Sequence, residues 1–129
     1  MATTIAEYFT DELSEWKRMI ASYTQEMHGL TVKLAEVIQR NSIPGIAAKV
    51  ENQQAKLNMV LKKIFRLQIQ FQRQEEALKT DSTFIDDSLI KTETEKQQKD
   101  LRQRTQQVER EYSDIKNDCH NFLSEIFKK

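Results

Sequence analysis

Two apolar registers that fit one another across a four-residue turn restrict the folding of this chain more than anything else in it. Phe9, Leu13, Trp16, Ile20, Tyr23, Met27, Leu30, Leu34 and Val37 follow one another at alternating steps of four and three. Ile46, Val50, Gln53, Leu57, Val60, Ile64, Leu67, Phe71, Gln74 and Leu78 do the same. Such steps average about 3.5 residues, the period of a coiled-coil seam rather than of the broader stripe of an ordinary amphipathic helix. If the chain reverses at Ser42-Ile43-Pro44-Gly45, every seam residue meets a seam residue: Trp16 lies level with Phe71, Ile20 with Leu67, Tyr23 with Ile64, Met27 with Val60, Leu30 with Leu57 and Val37 with Val50. An antiparallel helical hairpin follows.

The punctuation agrees. Thr4-Ile5-Ala6-Glu7 reads as a capping box at the start of the first helix, with Glu7, Asp11, Glu12 and Glu15 near the positive end of its dipole. Asn41 to Gly45 ends it: Asn tolerates a left-handed C-terminal residue, Ser42 can cap the next helix, and Pro44 suits a first turn. A second break falls at residues 80–87, rich in side chains that turn or cap the backbone. Beyond it Leu101, Thr105, Val108, Tyr112, Ile115, Cys119, Phe122 and Ile126 form a third seam. The expectation is an all-α, single-domain chain over 1–129, an elongated antiparallel (up-down-up) three-helix bundle of coiled-coil type. Its helices should span about 4–40, about 43–79 and about 84–128, making a rod of roughly 55–65 Å. From Lys91 to Gln107 the third helix has only Leu101 as a large aliphatic residue, so this half should pack loosely. Counting from the second break, Trp16 and Phe71 should face residue 93 or so, and Phe122 to Phe127 should cover Ile43, Pro44 and Ile46.

Composition narrows the function classes. Two glycines and one proline are too few to turn a sheet protein, whereas 31% charged residues suit long helices. Twenty basic against twenty acidic residues leave no net field to draw the chain to nucleic acid or an anionic membrane. One cysteine cannot form an internal disulfide, and residues 1–7 lack the basic, apolar and small-residue pattern of a secretion signal, so the cytoplasm is the expected compartment. No apolar run approaches the roughly 20 residues of a membrane span.

Two surfaces are candidates for partner binding. One flank of the hairpin carries Thr10, Lys17, Thr24, Thr31 and Ile38 facing Ala47, Gln54, Leu61 and Gln68, with Phe65 and Ile69 extending the apolar strip; the other carries Glu12, Met19, Glu26, Lys33 and Arg40 facing Lys49, Lys56, Lys63 and Gln70. The third helix is expected on the first flank, because burying unpaired lysines costs several kcal/mol each. Either it covers Leu61, Phe65 and Ile69, or a partner helix or second copy does. The second flank would then stay wet, its stripe of Lys33, Arg40, Lys49, Lys56 and Lys63 being a docking line for an acidic or anionic partner or merely a solvated face. Few aromatics interleave with the stripe, which disfavours single-stranded nucleic acid.

The remaining chemistry is sparse. Trp16, Tyr23 and Phe71 at seam spacing are core rather than a ligand cage, and Gln53 and Gln74 in the seam either fix register or lie near the frayed end rather than bind a ligand. His28, Cys119 and His120 lack the Glu-x-x-His spacing of di-metal bundles, and level counting sets His28 about 20 Å from the other two. With no Gly-rich phosphate loop and no serine elbow, no catalytic residue, cofactor, metal or small-molecule substrate is expected. Size and pattern are similar to those of spectrin-type and other three-helix coiled-coil bundles, a likeness of fold that implies no function. The expected role is a non-catalytic interaction or scaffolding module.

Overall fold

The structure is a computed structural model that describes residues 3–40 and 43–127. Helix α1 spans Ile5–Arg40 and α2 spans Ile46–Ala77; a two-strand ladder of β1, Lys79–Thr80, and β2, Thr83–Phe84, leads through a 3-10 turn, Asp87–Leu89, to α3, Thr92–Phe127. The three long helices pack antiparallel in sequence as a three-helix bundle. The paired seams form its core: Leu13, Ile20, Met27 and Leu34 of α1 and Val50, Leu57, Val60 and Phe71 of α2 are buried, and the Trp16 and Phe71 rings lie 5.7 Å apart. That contact places the first two helices in the expected register.

Both ends of the hairpin have local causes. Thr4 Oγ1 accepts from the Glu7 amide at 3.2 Å, half of the expected capping box. The Ile5 amide, another unpaired first-turn donor, instead gives to Asp87 Oδ1 at 2.8 Å. The 3-10 turn before α3 thus caps α1, tying the second connection to the first helix. At the other end Gly45 precedes α2 with φ of 81°, a left-handed conformation that glycine adopts without strain. The expected roles of Asn41 and Ser42 lie outside the described residues.

The second connection is longer than expected. Helix α2 ends at Ala77 and α3 begins at Thr92, because Asp81 and Ser82 both take positive φ and close a tight hairpin, with Lys79 paired to Phe84 and Thr80 to Thr83. Positive φ at both central residues is the type I′ signature, which favours Asn-Gly over Asp-Ser. Ser82→Gly is therefore expected to raise the unfolding free energy by about 0.5–1 kcal/mol. Urea titration of both proteins checks the sign; a lower midpoint for the variant would contradict it.

The longer connection shifts α3 along the bundle. Gln70 meets Arg104, and Gln74 meets Gln98, so Phe71 lies level with residues about ten later than the expected 93. Ile43 and Pro44 stay exposed instead of being covered by the end of α3, although Leu123 is buried and Phe122 and Ile126 pack against the core.

The first half of α3 is not loose, contrary to its composition. Gln98, Leu101 and Thr105 are buried, and a polar network joins all three helices. Gln74 Nε2 donates to the Thr94 carbonyl and to Gln98 Oε1, both at 3.0 Å. Gln98 Nε2 in turn donates to the Phe9 carbonyl and to Glu12 Oε1, both at 3.1 Å. Arg102 closes on Glu12 with two bonds, Nε to Oε2 at 2.8 Å and Nη2 to Oε1 at 2.6 Å. Buried amides whose partners all lie at one level resist sliding of one helix along another, since a slipped register strands them.

Candidate functional site

The third helix lies on the flank opposite to the one expected. Lys63 Nζ donates to both Glu111 oxygens at 2.9 and 2.7 Å, Lys56 pairs with Asp118 at 3.0 Å, and Lys116 pairs with Glu26 at 2.9 Å. Lys63, Lys56 and Glu26, and Glu12 which pairs with Arg102 of α3, belong to the flank expected to remain wet. Burying these lysines unpaired would be costly, but α3 brings partners. Glu111 and Asp118 are spaced like Lys63 and Lys56 on the antiparallel α2; Arg102 and Lys116 are spaced like Glu12 and Glu26 on the parallel α1. Lys56 and Lys63 also keep about 40% of their side-chain surface. Desolvation is therefore small, and the aliphatic stems cover the seam while the ammonium groups reach water.

The local electrostatics follow from this placement. Burial raises the Glu12 carboxyl, but the hydrogen bonds from Arg102 and Gln98 and the Arg102 charge outweigh it, holding Glu12 below its ordinary 4.5. Bonds from Lys56 and Gln53 hold Asp118 below its ordinary value. Burial, with Asp118 adjacent, pushes the Cys119 thiol up, as suits a packed core sulfur rather than a nucleophile.

Of the basic stripe, then, Lys56 and Lys63 are held by acids of α3. Lys33 borders the cleft that contains His120 and Lys116, while Arg40 and Lys49 are exposed. The observed register also corrects the spacing of the histidines. With Glu26 meeting Lys116, His28 lies within about a turn of Cys119 and His120 along the axis. His28 and His120 are exposed, Cys119 is buried, and among the described residues no group of three or more His, Cys, Asp or Glu is arranged to hold a metal ion. Among the same residues no helix is long and apolar enough to cross a membrane.

The flank that α3 leaves open is the apolar one. Phe65 is 64% exposed and Ile69 41%, with Leu61 half-buried beside them and Ile38 exposed on α1. The floor on the α1 side is undemanding. Thr10, Thr24 and Thr31 donate their hydroxyls to the carbonyls of Ala6, Ile20 and Met27 at 2.8–3.0 Å, so they need no polar partner from anything laid over them. Lys17 and Glu75 pair across the hairpin near one end of this face. A groove of this kind can accept the apolar stripe of a further helix.

Residues that the periodicity did not single out complete the picture. Asp87 and Gln98 act through contacts more than 80 positions away, which no local pattern records. Lys62, Arg66 and Arg73, exposed beside Phe65 and Ile69, did have a signal: between Glu51 and Glu75 α2 has no acidic residue at all. Comparison of the chain with protein-family models, curated proteins and solved structures finds no match in any of the three.

Proposed function

We propose that this protein is a non-catalytic docking module whose open α1–α2 face, centred on Leu61, Phe65 and Ile69, receives a helix from a protein partner. The observation that carries this reading is the exposure of Phe65 beside Ile69 and Leu61 on the one flank of the hairpin that α3 leaves bare. An apolar strip at helical spacing, over threonines already bonded to their own helix, is what helix-in-groove recognition uses. The lysine stripe is the weaker reading, because Lys56 and Lys63 already hold Asp118 and Glu111.

Selection of helical peptides from a displayed random library, on the immobilised protein, tests the proposal directly. Amphipathic sequences are expected to enrich and to lose about tenfold or more in affinity for Phe65→Asp. Unfolding of that variant stays within about 0.5 kcal/mol of the parent, since the side chain lies outside the core. A library that enriches nothing, or only peptides indifferent to both Phe65→Asp and Ile69→Asp, rejects the reading.

A further inference from the structure

The charge around the open face is one-sided. Between Glu51 and Glu75, α2 carries Lys56, Lys62, Lys63, Arg66 and Arg73 and no acid, in a chain that balances twenty basic residues with twenty acidic ones. The third helix supplies the missing acid to two of the five, Asp118 to Lys56 and Glu111 to Lys63. The other three are exposed and enter none of the ion pairs among the described residues. Their spacing places them against the apolar strip. Lys62 is three positions before Phe65, Arg66 three before Ile69, and Arg73 four after Ile69, all neighbours on a helix surface. Arg66 also borders the cleft between α2 and α3, where Glu111 already gives both oxygens to Lys63.

Resting on the docking reading above, we infer that the helix received on this face is acidic, its apolar stripe lying on Leu61, Phe65 and Ile69 and its carboxylates meeting Lys62, Arg66 and Arg73. Such a partner does for these three cations what α3 does for Lys56 and Lys63. A second copy of this chain fits poorly. A two-fold axis at Phe65, the middle of the strip, would set Arg66 of one copy within about two residues of the level of both Arg66 and Lys62 of the other, and like charges would oppose across the contact.

Two labelled helices of about 25 residues, with the same leucine stripe flanked by glutamates in one and lysines in the other, test the inference by fluorescence anisotropy on the full chain. The glutamate helix is expected to bind about tenfold or more tightly than the lysine helix, and to weaken several-fold between about 0.05 and about 0.3 M salt. Reversing all three cations, Lys62→Glu with Arg66→Glu and Arg73→Glu, should invert the preference while the circular dichroism stays unchanged. Equal binding of both helices, lost in Phe65→Asp, overturns the acidic partner but leaves the docking face standing. Binding of neither overturns both. Self-association by light scattering that Phe65→Asp abolishes assigns the face to a second copy and overturns the inference; so does a DNA duplex that displaces the glutamate helix and is itself indifferent to Phe65→Asp.

Discussion

Replacing Phe71 with alanine is expected to lower the unfolding free energy by about 3–5 kcal/mol, the range for emptying an aromatic site in a packed core. Phe71 is fully buried, and its ring meets Trp16 at a tilt of 37°. Because Trp16 is the only tryptophan, the same variant should change its fluorescence, reporting on the contact as well as on stability. A double-mutant cycle with Trp16→Ala separates the pair from the cavity: a coupling of about 0.5–1.5 kcal/mol is expected for an aromatic pair in contact. Zero coupling would place the two rings apart and undo the register of the hairpin. A two-state urea transition gives each value, provided that the slope is the same for all four proteins.

The second large effect comes from a change of one heavy atom. Gln98→Glu keeps the shape of the side chain but replaces the amide that donates to the Phe9 carbonyl and to Glu12 with an oxygen that repels both. At neutral pH this puts a second carboxylate beside Glu12 in a buried site, expected to cost about 3–5 kcal/mol. Burial and the neighbouring charge raise the folded pKa of the new carboxyl above its unfolded value. The penalty therefore grows as pH rises through the unfolded value and is eased on acidification, when a proton restores one of the two donors. Glu12 titrates the other way. Its folded pKa lies below the ordinary 4.5, so its contribution is present above that value and is lost as pH falls through the folded pKa. Between pH 7 and pH 5 the gap between variant and parent should accordingly narrow. A gap that stays constant over this window would mean that residue 98 does not sit against Glu12.

The same network shows why part of the fold was legible and part was not. Seam residues repeat within a few positions, so the pairing of Trp16 with Phe71 and the site of the first turn follow from local spacing once the chain is read as helix. Gln74 was recognisable as a polar residue in a seam, but its partners Thr94 and Gln98 were not. They depend on how far α3 slides along the hairpin, and that distance is set by residues 78–91. Left-handed Asp81 and Ser82 turn part of this stretch into a hairpin that no apolar period announces. A shift of about ten residues in level is what brings Glu111 and Asp118 to Lys63 and Lys56, and without those pairs the basic flank would be too costly to cover.

From the amino-acid order alone came the all-α class, three long helices and the antiparallel register of the first two, because a 3.5-residue period is a property of neighbours. The tertiary structure alone decided which flank α3 covers, and hence that Leu61, Phe65 and Ile69 are left bare. Both flanks of the hairpin would accept a third seam, and the choice between them turned on charge pairs and buried amides separated by about 50 to 90 positions in the chain.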